Sequence, residues 1–427
     1  MKTTLRIITC GSVDDGKSTM VGRLLQDADL AKEDQLNDAK KAAEATGVNN
    51  HMAYMCDGLQ EERAKGITID VAHRYFETDR HKYIIRDCPG HYEFIQNMAT
   101  GCSQADIAVI MVDSTKGKFV CNDNQTHRHL CIVGMFQIPK VFVCVNKLDL
   151  EPDADKRREL FDSIVENLKW HEDTFAHNAE FVHIPMSALT GANVVHEDPE
   201  MFPWYVGDTL FNSLENIDEV ENPLRDATPA FQVTHVTTVG YTGAYVQGKM
   251  LTGCFEQNSK LGVDGGDCNL KLVSINIGAN DTFLLTETGL SYTLRVEGDI
   301  TSLKPGCILH THSGMRLPST LPTKANWYIR FLWVGDMHTN DVNLLAQVHG
   351  ATGKISWKCD SFYVRGDMAV RRAHSEDFPY VHIYGKARNP LGAMVLVDPE
   401  TKKTQAVAVL LASNDYLVQR MIADGVL

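Results

Sequence analysis

The sequence has no C-x-x-C pair, no apolar run of transmembrane length, no internal repeat and no low-complexity tract, and its acidic residues outnumber its basic ones. Each absence removes a class of protein. Eleven cysteines without close pairs, mostly inside apolar runs as at Cys10, Cys131 and Cys144, read as reduced, buried thiols and not as a disulfide framework or a metal ribbon. Without a long apolar run no helical membrane anchor is expected. The first strand-like run starts almost at Met1, which leaves no room for a leader, so the expectation is a soluble, cytoplasmic protein without a membrane partner. The 41 Lys and Arg stand against 55 Asp and Glu, a formal charge of −14. Polyanions are usually met by basic surfaces, so nucleic acid is not expected as the main partner. Hydrophobic residues at 44% and charged residues at 22% exclude disorder, and 427 residues exceed one comfortable core.

What is present divides by texture. From residue 1 to 222, continuous apolar runs such as Tyr83–Ile85, Ile107–Val112, Val141–Val145 and Phe181–Ile184 alternate with helical stretches. Strands apolar on both faces belong to a mostly parallel sheet covered on each side by helices. Beyond Glu221–Asp226 the segments become short, alternating and punctuated by Gly and Thr, which is antiparallel barrel texture. A second break, with two prolines, falls at Arg316–Pro322. The expected organisation is an α/β phosphate-loop domain over 1–222, a β-barrel over 223–317 and a second β-barrel over 318–427 with a short C-terminal tail.

The first domain is organised around Gly11-Ser12-Val13-Asp14-Asp15-Gly16-Lys17-Ser18-Thr19, which follows the run Leu5–Cys10 and precedes a helical stretch. Strand, glycine-bounded loop and helix is the context in which G-x-x-x-x-G-K-[ST] binds phosphate, because successive N–H groups curl around an anion at a helix N-terminus. Lys17 is expected to reach the β- and γ-phosphates, and the Ser18 hydroxyl to bind Mg²⁺. Strand 83–86 runs into Asp87-Cys88-Pro89-Gly90-His91. Asp87 there can hold Mg²⁺ through water, and the Gly90 N–H can sense the γ-phosphate; the plainer reading is a Pro-Gly turn. Thr68, within Gly66–Asp70, can lend its hydroxyl to Mg²⁺ or simply begin a surface strand. His91 can orient the attacking water or be an ordinary surface histidine.

Base choice falls to Asn146-Lys147-Leu148-Asp149. Guanine offers adjacent N1–H and amino donors that one carboxylate accepts together, so Asp149 reads the base while Asn146 ties this loop to the phosphate loop. Ser187-Ala188-Leu189 can complete the pocket with a backbone N–H to guanine O6. The expected ligands are GTP and Mg²⁺.

In this order the motifs resemble the translation-factor class of GTPases, in which two β-barrels follow the nucleotide domain. Three stretches, Asp57–Arg63 with Gly66–Phe76, Ser12–Asp15, and Pro203–Leu210, resemble more narrowly the GTPase large subunits of bacterial sulfate adenylyltransferase. Asn389–Ala393 with Asp398 and Thr401 is similar to that family's last strands, whereas Val239–Gly243 lacks its Phe-Arg-Gly. The resemblance implies a partner: a smaller ATP- and sulfate-binding subunit that makes adenosine 5′-phosphosulfate and pyrophosphate, driven by GTP hydrolysis on this chain. Two other readings stay open, a factor delivering aminoacyl-tRNA and a diverged paralogue GTPase without the adenylyltransferase partner. No second phosphate loop follows, so phosphorylation of the product is expected elsewhere.

Overall fold

The computed structural model describes residues 3–30, 72–88, 98, 101–102, 105–119, 124–175, 179–217, 229–263, 267, 269–277, 281–283, 286, 288, 290–311, 325–335, 338, 341–348, 351–358, 362–363, 368–375 and 393–411. The chain divides into two compact units; the first holds residues 1–220 and the second most of the rest. The first unit carries one six-stranded sheet in the order β2-β3-β1-β4-β5-β6. Its strands are β1 (Thr3–Cys10), β2 (Ala72–Glu77), β3 (His81–Asp87), β4 (Ile107–Asp113), β5 (Lys140–Asn146) and β6 (Glu180–Pro185). All pairings are parallel except β2 with β3, which the apolar runs alone did not reveal. β4 is buried along its whole length and β5 along all but its first residue. That is why both read as unbroken apolar runs.

Among the described residues, the helices of this unit with stated bounds are α1 (Lys17–Asp27), α2 (Asn124–Met135), α3 (Ala154–Phe175) and the short α4 (Leu210–Glu215). Met20, Val21, Leu24 and Leu25 of α1 pack with Leu5 and Ile7 of β1, Tyr83 and Ile85 of β3 and Val109 of β4. The spacing of these four along the helix puts them on one face. Thr209 caps α4, its hydroxyl accepting from the Asn212 N–H at 3.1 Å.

Strand order decides where a ligand goes. The chain builds β1, β2 and β3 to one side of β1 and then crosses to build β4, β5 and β6 on the other. The crevice at the carboxyl ends of the strands, where the order reverses, is the usual ligand site of such sheets. Gly11, Asp87, Asp113, Asn146 and Met186 all stand at or just past those carboxyl ends.

The second unit is antiparallel. β7 (Ala230–Val239), β8 (Gly243–Thr252), β9 (Lys260–Val263), β10 (Leu270–Ile277), β12 (Ser291–Gly298) and β13 (Ile308–His310) form a ring, since β9 pairs with both β13 and β10. β11 (Asp281–Phe283) adds to β10. Phe231, Val246, Phe255, Leu272, Leu294 and Val296 fill its interior. A second closed barrel runs β14-β17-β16-β15-β18-β19, made of β14 (Ala325–Trp333), β15 (Val342–Val348), β16 (Ala351–Trp357), β17 (Met368–Ser375), β18 (Ala393–Val397) and β19 (Thr404–Leu411). Closure leaves no unpaired edge.

Seven cysteines lie among the described residues, all as free thiols: six are buried and Cys254 is exposed. No helix of the described residues is long and apolar enough to cross a membrane.

One buried ion pair ties β1 to the segment before β4. Arg6 donates through Nε to Asp106 Oδ2 at 2.8 Å and through Nη2 to Oδ1 at 3.1 Å, with its own N–H on Oδ2 at 3.1 Å. Asp106→Ala removes the buried carboxylate that accepts three bonds from Arg6 and should cost the first unit about 3–5 kcal/mol in urea unfolding. A loss below about 1 kcal/mol would assign the pair a surface-like weight.

Candidate functional site

The loop after β1 is shaped by two glycines that other residues could not replace. Gly16 has φ +93°, and a Cβ there would lie 2.4 Å from Asn146 Nδ2; Gly11 has φ +147°, with a Cβ position 2.8 Å from the Met111 carbonyl. Gly16 also begins α1 in the left-handed conformation, with no side chain capping the helix. The dipole of α1 favours an anion at this end.

Lys17 lies along this loop, buried, its Nζ donating to the carbonyls of Gly11 at 3.0 Å and Ser12 at 2.7 Å. Burial lowers its pKa, and the charges of Asp87 and Asp15 work against that. Asp15 is buried with its carboxylate turned away from solvent: Oδ2 accepts the Ser12 N–H at 2.6 Å, and Oδ1 takes Lys116 Nζ at 3.1 Å. Asp14 adopts φ 65° at the exposed apex of the loop.

Asp87 ends β3 opposite Thr9 of β1. One oxygen accepts from the Thr9 hydroxyl at 2.5 Å and the other from the Ser18 hydroxyl at 2.8 Å. A fully buried carboxylate beside a hydroxyl at the mouth of a phosphate loop is a set of hard oxygen donors of the kind Mg²⁺ takes. Ser18 and Asp87 thus fit the expected metal role. Thr68, Gly90 and His91 lie outside the described residues.

Asn146, at the end of β5, joins two loops. Its Nδ2 donates to the Asp15 carbonyl at 2.8 Å, and its Oδ1 accepts the Ala188 N–H at 2.8 Å. Within the triplet after β6, the Ser187 N–H is used by the Ala192 carbonyl and the Ala188 N–H by Asn146. Among the described residues, the Leu189 N–H is the one of the three without a partner. Asp149 is half-buried and its carboxylate has no partner among the described residues, so both its oxygens remain for a base edge.

Four contributors were not singled out in the sequence. Arg157 of α3 donates to the carbonyls of Leu148 at 3.1 Å, Glu151 at 2.9 Å and Pro152 at 3.2 Å, and so clamps the loop that carries Asp149. Arg23 of α1 donates to the Ala188 carbonyl at 3.4 Å and to that of Leu189. Asp113, at the end of β4, holds Lys147 Nζ at 2.8 Å; burial raises its pKa, but Lys147 and the Thr115 hydroxyl and N–H outweigh that and bring it below the ordinary range. Lys116 is the fourth. Only Asp113 had a visible signal, an acid at the end of a buried strand like Asp87.

The chain is similar to known proteins in sequence and in fold. The family described as Elongation factor Tu GTP binding domain matches residues 2–237. The chain is similar to proteins named sulfate adenylyltransferase subunit 1: 46% identical over 219 residues to that of Aliarcobacter butzleri, covering 51% of this chain and 45% of the relative. With that of Colwellia psychrerythraea it is 42% identical over 264 residues, 59% of this chain and 54% of the relative. The chain thus spans about half the length of the curated relatives it matches. In fold it is similar to the GTPase-like domain of S. cerevisiae Ski7 bound to GTP, with TM-score 0.66, 16% identity and 96% and 98% of the two chains covered. It is also similar to a bacterial selenocysteine-specific elongation factor, with TM-score 0.56, 18% identity and 99% and 61% covered.

Asn146→Ala strips partners from a buried carbonyl and a buried N–H at once. Each such group costs about 1–3 kcal/mol when left unsatisfied. Guanine-nucleotide affinity in a calorimetric titration should fall about tenfold or more, and an unchanged dissociation constant would remove Asn146 from the site.

Proposed function

The chain belongs to the Elongation factor Tu GTP binding domain family, and on that premise we propose that it is the GTP-hydrolysing subunit of a sulfate adenylyltransferase. The observation that carries the nucleotide part is the Asn146 bridge: one side chain bonds both the phosphate loop and the segment 187–189, with the unpartnered Asp149 carboxylate three residues on. A carboxylate in that place accepts the paired donors of guanine and rejects adenine. The sulfate part is supported by relatives 39–46% identical that bear the name sulfate adenylyltransferase subunit 1.

In this reading the loop N–H groups and Lys17 hold the β- and γ-phosphates; Lys17 is buried, and hydrogen bonds to phosphate act strongly in such a low-dielectric site. Ser18, Thr68 and, through water, Asp87 would hold Mg²⁺, which would neutralise charge on the phosphate oxygens. The Gly90 N–H meets the γ-phosphate, and His91 orients the attacking water. Hydrolysis by such sites rests on positioning and charge stabilisation. A smaller partner subunit binds ATP and sulfate and forms adenosine 5′-phosphosulfate, an uphill product. Contacts made to that partner only in the triphosphate state would couple the two reactions, since linkage needs different contacts in two states. The chain divides, in this proposal, at 222/223 and 317/318 into the switch domain and two barrels, acts in the cytoplasm, and leaves nucleic acid unbound.

Asp149→Asn should exchange guanine for xanthine preference, read as competition between GTP and XTP; retained GTP preference would take base reading away from Asp149. The pathway is tested separately. The chain, isolated with whatever co-purifies from its native cells, should release pyrophosphate from ATP in the presence of sulfate, and GTP should stimulate that release. GTP hydrolysis indifferent to sulfate, with tRNA, ribosomes or nothing co-purifying, would keep the nucleotide site and overturn the pathway.

A further inference from the structure

A carboxylate inside a phosphate loop repels the ligand that the loop is built to hold. Asp15 is such a group, its side chain 0% exposed. Both its oxygens are committed, one to the Ser12 N–H at 2.6 Å and one to Lys116 Nζ at 3.1 Å. Lys116 belongs to the 3₁₀ turn Ser114–Phe119 that follows β4, and its side chain is 27% exposed. That turn begins beside Asp113, whose carboxylate takes Lys147 Nζ at 2.8 Å and the Thr115 hydroxyl at 2.7 Å. Two ion pairs therefore run in opposite senses from one short segment, giving a base to the phosphate loop and an acid to the guanine loop. Asn146 lies between them, bonded to the Asp15 carbonyl.

We propose that Lys116 is a positioning residue for the nucleotide: paired with Asp15, it cancels the loop's own negative charge and fixes the curl from Ser12 to Asp15 into which the phosphates of a nucleoside di- or triphosphate fit. The proposal rests on the reading of this loop as a GTP-phosphate site. An exposed lysine–carboxylate pair contributes little, but here one partner is fully buried, and removing the lysine strands a charge with no water to reach it. The other cation acting on Asp15 is Lys17. Lys17 is already bonded to the Gly11 and Ser12 carbonyls, so it is not a substitute for Lys116. Burial raises the Asp15 pKa and Lys116 works against that; the Asp15 carboxylate accepts the Ser12 N–H at 2.6 Å, a bond that strengthens with the charge on the acceptor.

The test is a double-mutant cycle in the full chain, reading GDP and GTP dissociation constants by fluorescent-nucleotide displacement. Lys116→Met should weaken both about tenfold or more, and Lys116→Arg should stay within about threefold of wild type because the charge is kept. In an Asp15→Asn background, adding Lys116→Met should change affinity by less than about threefold, since no charge remains to cancel. This last comparison also serves if Lys116→Met alone fails to fold. Wild-type affinity in Lys116→Met, or an equal loss with and without Asp15→Asn, overturns the proposal while leaving the GTP site in place. A wild-type chain that binds neither nucleotide overturns the site reading and this proposal together.

Discussion

One amide holds the site together. Asn146 sits at the end of a fully covered strand, so its Cα is fixed by the sheet, and its two polar ends reach in different directions to the Asp15 carbonyl and the Ala188 N–H. The phosphate loop and the segment 187–189 are separated by more than 160 residues of chain, yet a bound nucleotide must touch both with sub-ångström tolerance. An amide is the smallest side chain that donates at one end and accepts at the other. Gly16 follows from the same constraint: a Cβ at that position would meet the Asn146 amide, so the bridge and the glycine require each other.

Around that bridge the charges are arranged in compensated pairs. Asp87 is held by two hydroxyls, Asp15 by Lys116 and Asp113 by Lys147, and all three acids stand at or just beyond the carboxyl edge of the sheet. Burying three carboxylates within one crevice is costly unless each has its partners. The result is a crevice in which each of these three carboxylates has its partners before any ligand arrives. Among the described residues, the Leu189 N–H and the Asp149 carboxylate have no partner, and a donor and a carboxylate are what a guanine edge can use. A site organised in this way needs little rearrangement on binding, which is the condition for strong electrostatic stabilisation.

Much of this was legible in the sequence, for a physical reason. The nucleotide residues follow buried strands directly, so a polar residue after an unbroken apolar run marks a strand end, and Asp87 and Asn146 were found that way. Asp113 obeys the same rule, but its meaning depends on Lys147, and that of Lys116 on Asp15, 101 positions away. Pattern within a window does not carry such pairings. Arg157 was hidden differently: on a helix rich in Lys, Arg and Glu it reads as part of a solvated face, whereas the fold buries it against the loop of Asp149. Barrel texture was evident from alternation, but closure of the first barrel rests on β9, four residues long, pairing on both sides. The antiparallel edge β2–β3 was hidden for a similar reason, as direction is a property of the connection and not of the strand.

The two halves of the chain differ in what keeps their sequence. In the first half the demands are chemical: an amide must bridge two loops, a glycine must take a positive φ, a lysine must donate to two carbonyls. Few residue types satisfy such demands; the family match, to a GTP binding domain, covers residues 2–237. In the barrels the demand is alternation and volume, which many sequences meet. Structural likeness therefore persists over 96–99% of the chain at only 16–18% identity, while the curated sequence matches cover 51–59% of it. A barrel keeps its shape through packing long after its surface has changed, and surface is what a partner reads.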